Sequence, residues 1–260
     1  MNEQKEQNEQ NKQEKIDPKV SIVILPYDNY EFFVRATESL HGNTDYSNFE
    51  IIVSHNPCKS EETNTQIKEF CEACTGRWDN FKYIVNETNL YHAKGNARGI
   101  EIADPESKSI VLANDDIFIP GNQLNWLTKL VKFAEADENV ATVTPCLLYP
   151  KETIYWLGKQ NAENPQHDFL HLPRGDERLP KEPLTTCYNN MACCLIRKTL
   201  LDEIELGVDT TPHYGSDSSF CNKVKELHPE MEHWVLPSIK VYHWNIYYLR
   251  TNRDDPIIDG

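Results

Sequence analysis

Asn114-Asp115-Asp116 interrupts an apolar run that fills Ile110 to Ala113 and resumes until Pro120-Gly121. Two adjacent carboxylates repel each other, so gathering them at one point is costly without a cation beside them. A hard divalent cation that also holds phosphate oxygens is the natural partner. The same three residues can also be read as a polar turn. Cys71-x-x-Cys74 invites a metal or redox reading, but a single such pair on a helical segment is a weak signal. With only ten glycines, the chain has neither a P-loop nor a dinucleotide-binding spacing.

The elements around these residues decide between a turn and a site. Residues 19–25 form a strand that stops at Pro26-Tyr27-Asp28-Asn29, and a helix follows over 31–41. Residues 49–53 form a second strand ending in Ser54-His55-Asn56-Pro57, followed by a helix over 61–74. A third strand spans 81–85, a third helix 90–103, and then comes the strand that ends in the carboxylates. Strands alternating with helices predict a parallel sheet with helices on both faces. One edge of such a sheet collects Tyr27, Asp28, His55, Asn56 and the carboxylate pair, which favours the site over the turn.

The second half reads as a helix over 123–136, strands at 140–145 and 153–157, an apolar return over 188–196, a helix over 216–227 and an extended segment over 234–243. Between them, residues 159–186 are a long, proline-containing loop of the kind that is usually functional or disordered. Residues 1–18 are almost all Asn, Gln, Glu and Lys, and predict a disordered tail.

The 260 residues suffice for a substantial core. A net charge of -15 argues against nucleic acid and anionic membrane surfaces as partners. No apolar run approaches the roughly 20 residues needed to span a bilayer. Eight scattered cysteines, two of them adjacent at Cys193-Cys194, fit reduced thiols in a cytoplasmic protein better than a disulfide framework. Docking at the periphery of a membrane stays open.

The chain resembles the family-2 glycosyltransferases of the GT-A fold over roughly Val20 to His243, through a series of segments in a fixed order. These are residues 20–28, 49–56, 89–100, 110–116 with Pro120-Gly121, 145–149, 153–158, 193–197, 214–221 and 241–243. The likeness is strongest to a rhamnosyltransferase-like branch. It implies an α/β, Rossmann-like, mostly parallel central sheet. Residues 19–260 would be one domain, with a nucleotide-sugar half over 19–121 and an acceptor and base half over 122–260.

The resemblance further implies a UDP-, dTDP- or GDP-linked sugar donor, a glycan or glycoconjugate acceptor, and Mn2+ or Mg2+. Pro26, Tyr27 and Asp28 match the segment that cradles the nucleobase, with His55 where the family usually has an acidic residue. Asn114 and Asp115 belong to the DxD-type motif, Asp115 near ribose or sugar, and Asp116 binds the metal. His243 matches a histidine that completes the metal sphere in part of the family; a strand-end histidine packed beside Trp244 is the other reading. Lys94 and Arg98, four apart on a helix, would reach the donor or else form a solvated basic face.

An inverting transfer needs one carboxylate to take the acceptor's proton. Asp217 matches that base, with Ser216 and Ser219 where the family carries acidic residues; it could instead cap the helix beginning there. Trp156, Trp234 and Trp244 are either sugar-stacking surface or core. Two other functions fit less well: a nucleotidyltransferase, which would usually carry a glycine-rich basic loop after the first strand, and a non-catalytic nucleotide-sugar or glycan binding module.

Overall fold

The structure, a computed structural model, describes residues 17–161, 167–207 and 215–245. The polar tail therefore lies almost wholly outside the described residues, as do parts of the 159–186 loop and of the segment before Gly215. Ten strands and six helices follow in chain order. They are β1 (Val20–Leu25), α1 (Tyr30–Gly42), β2 (Phe49–His55), α2 (Glu61–Arg77), β3 (Phe81–Val85), α3 (Tyr91–Glu101) and β4 (Ser109–Asn114). Next come β5 (Ile117–Phe118), α4 (Trp126–Ala136), β6 (Val140–Leu148), β7 (Ile154–Trp156) and β8 (Leu184–Thr186). The chain continues with β9 (Cys193–Arg197), α5 (Lys198–Glu203), α6 (Ser216–Leu227) and β10 (Glu232–His243).

All the strands join one sheet in the order β3-β2-β1-β4-β9-β6-β10-β5, with β7 on β6 and β8 on β10. The first four pair in parallel, as their βαβ spacing requires. Antiparallel pairing enters with the second half, where β9 runs against both β4 and β6. Parallel pairing returns between β6 and β10.

These strands are apolar on both faces because helices cover both. Ile22, Ile24, Ile51, Val53 and Val111 pack with residues of α1, α2 and α4. Their neighbours in alternation, Val23, Ile52, Ile110 and Leu112, pack with Leu200, Phe220 and Val224 of α5 and α6, joined by Ala93 and Ile100 of α3. On α3, a Cβ at Gly99 would stand 2.4 Å from Val23 Cγ1, and one at Gly95 would stand 2.5 Å from Leu25 Cδ1. The two glycines let this helix lie directly on β1.

Three departures from the sequence reading have local causes. β6 runs past Pro145, where a proline should end a strand, because β10 shifts register opposite it, between Leu236 and Lys240. Gln123 starts a turn rather than α4: its N–H donates to Pro120 O (2.8 Å), and Trp126 N–H donates to Gln123 O (2.8 Å). α5 is only six residues long, too short to show a period. Among the described residues, no helix is long and apolar enough to cross a membrane. All eight cysteines are free, and Cys71 and Cys74 are buried in the core under α2.

Candidate active site

Register brings the carboxylates to the loop after β1. Leu25 pairs with Asn114, so Pro26-Tyr27 and Asp115-Asp116 leave the sheet side by side. The Tyr27 N–H donates to Asp115 Oδ2 at 3.3 Å. Burial, reinforced by Asp116, pushes the Asp115 carboxyl well above the usual carboxylate range; Asp28 adds to this, and the Tyr27 N–H opposes it. Three acidic groups thus crowd one strand end. Pro26 is buried, and its carbonyl accepts from the Asn56 N–H (3.1 Å), which ties the β1 and β2 exits together.

The far end of the chain comes to the same point. β10 pairs antiparallel with the two-residue β5, setting His243 opposite Ile117. His243 Nε2 then lies 3.1 Å from Asp116 Oδ1 and 3.5 Å from Asn114 Nδ2, and His243 and Asp116 are both buried. The Trp244 N–H donates to Asp116 O at 3.0 Å. Among the described residues, no group of three or more His, Cys, Asp or Glu side chains converges as a metal site. Asp116 and His243 nevertheless fit as a pair. Two ligands on neighbouring corners of an octahedron with bonds of roughly 2.1 Å stand about 3 Å apart, and a carboxylate with an imidazole suits Mn2+.

Asp217 opens α6, half-buried. Its Oδ2 accepts from the Met191 N–H (2.9 Å) and its Oδ1 from the Ser216 hydroxyl (3.1 Å). Met191 reaches it because β9 runs antiparallel to β4, which returns residues 189–192 to the carboxylate edge; the Asn114 N–H donates to Ala192 O at 2.9 Å. Asn189 anchors that return. Its side chain accepts from Thr144 Oγ1 (2.9 Å) and donates to Thr142 Oγ1 (2.8 Å) and Trp234 O (3.1 Å), all within the core.

Sequence reasoning missed Tyr155. Its ring meets the His243 ring edge-on, with centroids 4.5 Å apart, and its hydroxyl accepts from Asn190 Nδ2 at 3.4 Å. Burial raises its pKa, and both Asp217 and Asp116 add to the rise. One ring therefore sits in the field of both carboxylates. His92 was also missed: Nδ1 lies 3.2 Å from Ser216 Oγ. Neither residue carries a local signal, because each contact joins elements far apart in sequence.

The remaining candidates divide. His55 is buried, its Nδ1 lies 3.3 Å from the Tyr83 hydroxyl, and burial holds its pKa below the ordinary value. Lys94 and Arg98 are both exposed on α3, and Arg98 pairs with Glu101 of its own helix. Tyr91 begins this helix with φ 59°, a strained value for a bulky residue, at the same sheet edge. Trp156 is fully buried and Trp234 packs against Phe133, so both belong to the core, while Trp244 packs on Phe32 of α1 beside the carboxylates.

Residues 21–205 match the family model described as glycosyl transferase family 2. No curated protein sequence matches the chain. Solved structures share its fold. One is GalNAc-T7 with UDP, GalNAc and Mn2+, at 14% identity and a TM-score of 0.63 over 88% of this chain. A second is the mannosyltransferase PcManGT from Pyrobaculum calidifontis with GDP-Man and Mn2+, at 12% identity and a TM-score of 0.63 over 96% of this chain. A third is S. aureus TarS 1-349 with UDP, at 16% identity and a TM-score of 0.56 over 86%. The chain spans 44%, 67% and 60% of those three chains, respectively.

Proposed function

Since this chain belongs to glycosyl transferase family 2 and carries its GT-A fold, we propose that it is an inverting, metal-dependent glycosyltransferase. It moves a sugar from a UDP-, dTDP- or GDP-linked donor to a hydroxyl of a glycan or glycoconjugate. Residues 19–121 serve the donor, and residues 122–260 serve the acceptor and carry the base. The rhamnosyltransferase-like motif order favours a deoxyhexose or hexose.

Asp116 and His243 would hold the metal, which supplies positive charge to the departing diphosphate. Tyr27 and Asp28 line the loop that receives the nucleotide, and the crowded Asp115 lies beside them, ready for ribose or sugar hydroxyls. Lys94, exposed near the start of α3, can swing to the donor, whereas Arg98 would first have to leave Glu101. Asp217 accepts the acceptor's proton. The observation that carries this reading is the position of Tyr155, against His243 and in the field of both Asp116 and Asp217. It supports a metal pole and a base pole facing one reaction space.

One observation favours a second reading, a non-catalytic nucleotide-sugar binding module: each Asp217 oxygen already accepts a hydrogen bond. A donor panel of UDP-glucose, dTDP-rhamnose and GDP-mannose with Mn2+ separates the two. Release of nucleoside diphosphate, lost in Asp217→Asn, is expected of the transferase. Binding without turnover would establish the module, and pyrophosphate release a nucleotidyltransferase.

A further inference from the structure

Asp217 does not stand alone at the head of α6. Ser216 is 8% exposed, and its hydroxyl lies between two partners: Asp217 Oδ1 at 3.1 Å and His92 Nδ1 at 3.2 Å. An ionised carboxylate only accepts, so the hydroxyl's single proton points to Asp217. Only the lone pairs of Ser216 Oγ then remain for His92, whose Nδ1 must carry a hydrogen. The chain of donors therefore has one direction, from His92 Nδ1–H to Ser216 Oγ–H to Asp217 Oδ1. It also crosses the site, since His92 lies in the first turn of α3, beside the β3 exit, and Ser216 opens α6.

We infer that His92 is a positioning residue for the base: acting through Ser216, it fixes the Asp217 carboxylate that receives the acceptor's proton. The inference rests on the reading of Asp217 given above. In the step concerned, the acceptor O–H bond breaks and its oxygen bonds to the anomeric carbon. The bond from that carbon to the diphosphate breaks with its electron pair on the diphosphate. The proton comes to rest on Asp217. With Oδ2 held by the Met191 N–H and Oδ1 by Ser216, the carboxylate is fixed in orientation, and each oxygen keeps one lone-pair direction for an acceptor.

Other ionisable groups face Asp217: Tyr155 from β7, Tyr188 from the segment before β9, Cys194 from β9 and Cys221 from α6. Burial raises the pKa of each, to about 12 for Cys221. The test follows nucleoside diphosphate release from the same donor panel with Mn2+, with water as acceptor. His92→Phe should lower kcat about two- to tenfold, the factor that one neutral hydrogen bond commands. Donor KM should be little changed.

Asn places its side-chain nitrogen where His places Nδ1, so His92→Asn should restore kcat. Ser216→Ala should lower kcat at least as much as His92→Phe, and the double variant should lose no more than Ser216→Ala alone. A His92→Phe protein with unchanged kcat, beside an inactive Asp217→Asn, overturns the inference and leaves the base standing. The same holds if His92→Asn is no better than His92→Phe. No release by the unmodified chain, or full activity in Asp217→Asn, overturns both.

Discussion

His243 reaches Asp116 through strand register: the histidine pairs with Ile117, and its Nε2 comes within 3.1 Å of the carboxylate that precedes that strand. A divalent ion placed between them would relieve the repulsion among Asp28, Asp115 and Asp116. Mn2+ should therefore stabilise the fold, by about 2.7 kcal/mol at a concentration roughly 100 times Kd. Thermal unfolding with and without Mn2+ measures this. Asp116→Asn should lose the gain, and a gain of equal size in that variant would remove Asp116 from the metal site.

Gly99→Ala should destabilise the chain by about 1–3 kcal/mol, because the new methyl meets the stiff Val23 side chain. Gly42→Ala, where nothing lies within 4 Å, is the control and should be neutral or slightly stabilising. Urea unfolding compares them. Equal midpoints for the two variants would mean that α3 does not lie on β1 as closely as described.

Acid should weaken the fold through His233. It is buried; Thr142 Oγ1 lies 2.8 Å from Nδ1 and Cys221 O lies 3.2 Å from Nε2, and burial lowers its pKa to about 4. Between that value and the unfolded value of about 6.5, the unfolded chain binds the extra proton. The stabilising effect is thus full above pH 6.5 and fades as pH falls towards 4, a loss of about 3 kcal/mol. Urea midpoints at pH 7 and pH 5 should fall less in His233→Gln than in the unmodified chain; parallel falls would contradict the assignment.

The first half was legible because its signals are local. Apolar runs on both sheet faces, with Pro, Asn or Asp at their ends, locate β1 to β4 and bring Tyr27, Asp115 and Asp116 to one edge. Lys94 and Arg98 are legible only as to their face of α3. Their spacing does place them on one helical face, but Gly95 and Gly99, also four apart, mark the side that lies on the sheet. β5 has only two residues, and Tyr155 and His92 act through partners distant in the chain. No periodicity announces contacts of that kind.

At the rim away from the site, Glu50 is also buried. Its Oε1 accepts from Ser21 Oγ (2.6 Å) and the Asp104 N–H (2.7 Å), and its Oε2 lies 2.8 Å from Lys82 Nζ. This acid is compensated by the chain itself, whereas the acids at the other end of the same strands crowd one another. Burial alone therefore does not mark a site; like charges gathered at one strand end do.

The irregular stretch of β10 between Leu236 and Lys240 works as a spacer that sets parity. Side chains alternate along a strand, so removing one residue there would turn His243 away and offer Trp244 to Asp116. A change in length far from the reaction space could silence this protein while every chemically active residue stayed in place.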